Sequence, residues 1–469
     1  MSIPGSDHRP DLHRLLAALE SMQQEEQEVF FSESEFELLA DYFEEDDQSD
    51  RALELINAAL HHYSYNLDLH LRKAALLLKC SEAHKALEAL DGAMHLDPSG
   101  LEISLLRAES LAFLGEFEAA LEVLEERFSE SETPDDRADI LYIQGLILEQ
   151  MEDYEAMYQA LRSALEWQPG HPGALERFGI AVEITRKYKE SIVFHQTLVD
   201  EDPYAAMAWF NLGQALAYEA AYEDALEALE YAFLIDQALE MAYREYIELC
   251  FELQDYANAL RVIEEMQEHF PADTDMATRA GQCHFYIGAY PAGQKALLHA
   301  LVLDPLNDEA LFFLGKCFSA EENWPKAIQY FSKAIRIDGE QETYFAAMAH
   351  AQARLGNDKA AEHYMQQTIS LAPEEAYYWI TYASFLLTKG KARKAWALLH
   401  KDDAMGFGSE LEYARVACLF ALGRKQEALL VLEEALLDDF DSHPDLFQIL
   451  PGIETDPQVR SLIHIYSPI

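Results

Sequence analysis

The stretch WFNLGQALAYEAAYEDALEALEYAFLID, residues Trp209 to Asp236, decides the fold because its pattern returns every 34 residues along most of the chain. Within it the small residues Gly213, Ala225 and Ala232 stand between large apolar ones, in two amphipathic runs at helical spacing. A fixed period of this size marks a repeat array rather than a single globular core.

Each repeat is numbered from one to thirty-four with Trp209 at position four, so that this copy begins at Ala206. Steps of 34 then give starts at 138, 172, 206, 240, 274, 308, 342 and 376 without adjustment. Position eight reads Gly145, Gly179, Gly213, Ile247, Gly281, Gly315, Ala349 and Ala383, and position twenty reads Met157, Ser191, Ala225, Ala259, Gly293, Ala327, Ala361 and Ala395. Prolines recur near the ends of repeats at Pro169, Pro203, Pro271, Pro305 and Pro373. Upstream the phase resumes at 33, 67 and 101, and a last repeat, one residue short, starts near 409, which makes about twelve. The step from 101 to 138 is three residues too long, and the surplus falls in the acidic stretch 129–139, expected to be a longer surface connection.

The columns have a packing reason. Positions eight and twenty fall where the two antiparallel helices of a repeat cross, and a bulky side chain there forces the helices apart. Position 27, as in Ala59, Ala93, Ala164, Ala232, Ala300 and Ala334, does the same against the next repeat. The prolines end the second helices because they cannot continue them.

With these columns the chain closely resembles the tetratricopeptide repeat (TPR) family over roughly residues 33–440. The resemblance implies an all-α, right-handed solenoid of stacked helix pairs with the first helices lining a concave groove. Three regions follow: an acidic N-terminal segment with a capping helix (1–32), the array (33–440) and a C-terminal capping segment (441–469). Residues 10–28 are expected to form an amphipathic helix carrying Leu12, Leu15, Leu16 and Leu19, and Ser32 with Glu35 fits a capping box. Asp456-Pro457 reads as a helix start, with Val459, Leu462, Ile463 and Tyr466 covering the last repeat.

Composition bounds the function. At 469 residues the chain exceeds one compact core, and 50% hydrophobic residues exclude a disordered polymer despite a formal charge of −51. Acidity is densest at the start, with 37 Asp/Glu against 10 Lys/Arg in residues 1–160. Such a surface repels phosphate backbones, so no nucleic-acid partner is expected. No run of eighteen apolar residues occurs, so no membrane insertion is expected, and MSIPGSDHRPDLHR has no secretory apolar core. Five scattered cysteines without a CxxC pair fit buried thiols in a reducing cytosol, and a cytoplasmic location is expected.

Nothing in the sequence has the spacing of a catalytic or cofactor motif, so no enzyme activity, cofactor or metal is expected. His61-His62 lacks a third ligand at useful spacing. Function is therefore sought in the groove. In the family, positions two, five, six, nine, twelve and thirteen of the first helix face it. Near the N-terminus they place Glu37, Asp41, Glu44 and Glu45 there. The middle repeats present Arg177, Phe210, Asn211, Gln214, Arg244, Arg279, Gln282, Phe312, Phe313, Lys316 and His350. Arginine and lysine suit carboxylates, Asn211 and Gln282 a peptide backbone, and Phe312 or Phe313 an anchor. Glu176, Glu183, Glu245, Glu248 and Glu252 point the same way, so the cations can equally neutralise neighbouring glutamates. Relatives that clamp a chaperone's carboxylate tail use an ordered Lys/Asn/Asn/Lys/Arg set. Asn211 matches one place, but Phe210 and the Arg244-Glu245 pair depart from it, so that ligand is not expected. The expected function is a non-enzymatic scaffold that binds a peptide or protein in the groove. The alternatives are an adaptor arm of an enzyme complex and a substrate-holding chaperone for secretion. Lys333 and Arg336 fall on the convex face, as a control pair.

Overall fold

The structure, a computed structural model, describes residues 9–23, 31–401, 407 and 410–467. Its regular elements among these residues are helical, with 27 α-helices. The chain divides into two compact units, Met1–Glu245 and Tyr246–Ile469, each described by itself below. Within each, helix pair stacks on helix pair, so the fold is an all-α solenoid.

The register read from the sequence is the register of the helices. First helices open at Glu33, Leu67, Leu101, Pro172, Ala206, Glu240, Thr274, Asp308, Glu342 and Ala376, where the 34-residue count begins. Second helices follow after short turns, as in Ala206–Tyr218 with Tyr222–Ile235 and Asp308–Ala320 with Trp324–Ile337. The small columns are buried: Ala52, Ala86, Ala120, Ala225, Ala259, Ala327, Ala361 and Ala395 are all sealed from solvent, as are Ala59, Ala93, Ala164, Ala232, Ala300 and Ala334.

The surplus at 129–139 takes a different form from the expected surface connection. Only Ser131–Thr133 lie outside helices; the following helix, Pro134–Gln150, starts four residues before its repeat and reaches 17 residues. Thr133 caps it, its side chain accepting the Asp136 amide at 3.1 Å. Pro134 at the first helical position and two aspartates in the first turn complete a helix start, so the proline begins a helix here rather than breaking a loop.

At the N-terminus the helix Arg9–Gln23 buries Leu15 and Leu19 against Phe36, Leu39 and Phe43 of the first repeat. The expected extension of this helix to residue 28 lies outside the described residues. The capping box is formed, with the Ser32 amide donating to Glu35 Oε2 at 2.9 Å. At the other end the helices His443–Ile449 and Pro457–Tyr466 lay Leu446, Ile449 and Val459 on the last repeat. Asp456 caps the second of these and pairs with Lys425 at 2.5 Å, a contact that holds its carboxyl below the usual range.

Position eight and position twenty-four meet. A Cβ built on Gly281 falls 2.4 Å from Leu297 Cγ, and one on Gly315 falls 2.5 Å from Phe331 Cε1. Alanine is the better helix former by about 1 kcal/mol, but overpacking a helix crossing costs about 1–3 kcal/mol. Gly281→Ala and Gly315→Ala are therefore expected to destabilise the second unit. At Gly92 the nearest neighbour is the edge of the His70 side chain at 3.2 Å, a milder approach, so Gly92→Ala is expected to be neutral or slightly stabilising. Urea unfolding of the three variants checks this; stabilisation by Gly281→Ala would refute the crossing argument.

Candidate interaction cleft

The expected groove residues separate into two classes. Most belong to the internal economy of the array. Asn211 is buried, and its amide donates to the Leu175 carbonyl of the preceding first helix at 2.8 Å. Gln282 is buried and bonded to the Glu309 carboxylate. Neither is placed to grip a partner's backbone, because a buried amide is held by the partner it already has. Phe210 and Phe313 are core residues, and Phe312 packs its ring against Tyr344 at 4.6 Å between centroids.

The arginines carry their own carboxylates. Arg177 reaches Glu149 at 3.4 Å, and Arg244 reaches Glu240 at 2.6 Å. Arg279 forms two bonds to Glu248, at 2.5 and 3.2 Å, adds Asp275 at 3.2 Å, and lies over the Phe251 ring. Gln214 donates to Glu245 at 3.2 Å. Arg72 likewise joins Asp41 and Glu44, so part of the acidic cluster near the N-terminus is also internally neutralised. The mixed sign of the face resolves into ion pairs: Arg72, Arg177 and Arg279 each lie opposite a glutamate of the repeat before, and Arg244 pairs within its own helix.

Lys316 and His350 are the exceptions. Both line a cleft of about 670 Å³ in the second unit. Three first helices supply most of its lining, Asp308–Ala320, Glu342–Arg354 and Ala376–Thr388, with Phe285 added by the first helix before them and Trp324, Phe331, Met365 and Thr368 by second helices. Small side chains make the room, notably Ala346, Ala347 and Ala353, while Phe285, Trp324 and Phe385 supply apolar walls. Hydroxyls of Ser319, Thr381, Ser384 and Thr388 stand among them. The Lys316 ammonium lies 4.5 Å from the Phe285 ring centroid and 4.7 Å from that of Phe313. His350 meets Trp324 edge to face at 5.6 Å, and desolvation together with the Arg354 cation pushes its imidazole pKa down.

The groove residues named from the sequence end at His350, so the third wall is not among them. Tyr377, Thr381, Ser384 and Thr388 occupy groove positions two, six, nine and thirteen of the repeat that begins at Ala376. The signal was present in the phase but carried no charge to draw attention. The pair Lys333 and Arg336 is also less inert than a control should be, since both line a second cleft of about 510 Å³ with Leu298, Tyr330 and Ile337.

Four of the five cysteines are buried in packed surroundings, and burial pushes the Cys283, Cys317 and Cys418 thiols up to about 12. They sit as small apolar groups. No helix among the described residues is long and apolar enough to cross a membrane.

Comparison with known proteins agrees with the repeat. The profile of the tetratricopeptide repeat family matches residues 138–171, one whole repeat in the present phase, and residues 278–342. A mouse protein, DnaJ homolog subfamily C member 7, is 23% identical over 241 residues, which are 49% of this chain and 49% of that protein. The TPR repeat-containing protein YpiA of Bacillus subtilis is 24% identical over 239 residues, 50% of this chain and 56% of its own length. The chain thus spans about half the length of these relatives. Among solved structures, the Cut9-Hcn1 hetero-tetramer of the APC/C aligns over 93% of this chain and 97% of its own, at 14% identity and a TM-score of 0.36. Repeat phase, helix register, buried small-residue columns and the two profile matches converge: the chain is a tetratricopeptide repeat protein.

Proposed function

We propose that the protein is an interaction scaffold whose second unit holds a segment of a partner protein in the cleft between Lys316 and Thr388. The observation that carries the reading is the cleft itself, an open apolar trough of about 670 Å³ along the groove positions of three consecutive first helices. That volume falls in the range of sites that take a small molecule or a few side chains. Peptide recognition by a helical trough needs apolar pockets for anchors and polar groups for the backbone, and both line this one. Of the expected contact residues, the proposal keeps Lys316 and His350 and assigns the others to the array. A substrate-holding role is the second reading, favoured by the preponderance of small and apolar lining groups.

A photo-reactive benzoylphenylalanine at Tyr377, on the rim of the cleft, tests the proposal against the same residue at Lys359, an exposed position on a second helix. Irradiation in native lysate is expected to cross-link one or a few proteins at position 377 and not at 359. Many unfolded clients at 377 would favour the substrate-holding reading. Equal capture at both positions would refute the cleft.

A further inference from the structure

The cleft is free of negative charge on a strongly acidic chain. The protein has 85 acidic residues against 34 basic ones, yet no aspartate or glutamate lines the cleft among the described residues. Glu342 and Glu375 act on the hydroxyl of Tyr378, a lining residue, but do not line the cleft themselves.

Lys316 is the one ammonium on the lining. Besides Phe285 and Phe313, the rings of Tyr286 and Phe312 lie within 5.4 and 5.5 Å of its Nζ. Ring faces attract a cation, but they do not replace the acceptors that three N–H donors lose on leaving water. No acidic side chain pairs with Lys316 among the described residues, whereas the groove arginines Arg177, Arg244 and Arg279 each have a carboxylate. Burial pushes the ammonium's pKa down accordingly. A carboxylate brought to this cation meets it in partly desolvated surroundings, where attraction is stronger than in water.

We infer that the cleft selects a peptide segment in which a large apolar side chain stands next to a carboxylate, the apolar group entering beside Trp324 and Phe385 and the carboxylate meeting Lys316. This rests on the reading that the cleft binds a partner segment. Selectivity follows from the absence of competing carboxylates on the lining: a basic segment meets a cation, and a neutral one leaves it unpaired. The alanines at 346, 347 and 353 set the width available to the anchor.

The test uses the full chain and an array of randomised eight-residue peptides. Retained peptides are expected to be enriched in Asp or Glu adjacent to Phe, Trp, Leu or Ile. One retained peptide and its amide counterpart, Glu→Gln or Asp→Asn, are then titrated calorimetrically. On the wild type the amide is expected to bind at least tenfold more weakly; on Lys316→Met the two should agree within twofold. Methionine keeps the length and packing of the stem, and unchanged thermal unfolding checks the variant, with Lys316→Arg expected to restore the preference. Absence of acidic enrichment, or an acid-to-amide ratio on Lys316→Met equal to that of the wild type, would overturn the inference and leave the cleft reading standing. Ser384→Trp fills the cleft and is expected to abolish binding of both peptides; full binding to it would overturn the cleft reading itself.

Discussion

Removing residues 441–469 is expected to cost the last repeat about 5 kcal/mol and to make the protein associate. Leu446 and Val459 are fully buried and Ile449 nearly so, and all three join the cluster built on Leu432, Ala435 and Leu436. Burying one such side chain is worth about 1.5–3 kcal/mol, so three account for the figure. The segment also holds Tyr466, whose hydroxyl donates to Glu433 at 2.5 Å, and the Lys425–Asp456 pair. These partly exposed contacts add little. Without the segment, the second helix Lys425–Asp438 presents an apolar face to water, and a terminal repeat without a cap frays or finds another copy. Thermal unfolding and light scattering, side by side with the full chain, measure both effects. An unchanged unfolding temperature with unchanged mass would show that the two terminal helices are not a cap.

The second large effect is expected in acid, at one residue. His195 sits at position twenty-four of its repeat, where others have Leu161, Leu229, Leu297 and Phe331. It is sealed from solvent, with Nδ1 against the Ser191 carbonyl at 3.0 Å and Nε2 without a hydrogen-bond partner. Burial favours the neutral imidazole and pushes its pKa from 6.5 to about 4. The folded value is depressed, so the unfolded chain takes up the proton first as pH falls. The stability is complete above pH 6.5 and is lost progressively towards pH 4. A shift of this size corresponds to about 3 kcal/mol at the lower limit.

Acid also discharges the surplus carboxylates of a chain with net charge −51, which acts in the opposite direction. The comparison is therefore with His195→Leu, which installs the residue found in neighbouring repeats. Hydrogen exchange of the helix Tyr188–Glu201 is expected to show wild-type protection falling relative to the variant by about 1.4 kcal/mol per pH unit between pH 6 and pH 4.5. A parallel pH dependence in both proteins would refute the assignment to His195.

How much of this was legible beforehand depends on which groups interact along the chain and which across it. The helix register, the buried columns at positions eight, twenty and twenty-seven, and the capping box at Ser32 were readable. Each is a local or periodic constraint imposed on residue size. The column at position fifteen was not. There the backbone is left-handed in every repeat, from Asp47 and Ser81 through Arg186, Ala220, Gln254 and Glu322 to Gly423. Only five of its twelve residues are glycine, so no common side chain announces a turn that the geometry of two packed helices requires.

The candidate site was legible only as a set of positions. The phase named Lys316 and His350, but it named Arg279 and Asn211 with equal weight. Charge alone could not rank them, because a cation on a helix face has the same sign whether a glutamate 31 residues earlier reaches it or not. The sequence by itself determined the repeat and its register, since these follow from side-chain size at a fixed period. Only the tertiary structure decided which cations are already paired and which one is left among aromatic rings above an apolar cleft, because pairing depends on distances between side chains of different repeats, and those are set by how the helices stack.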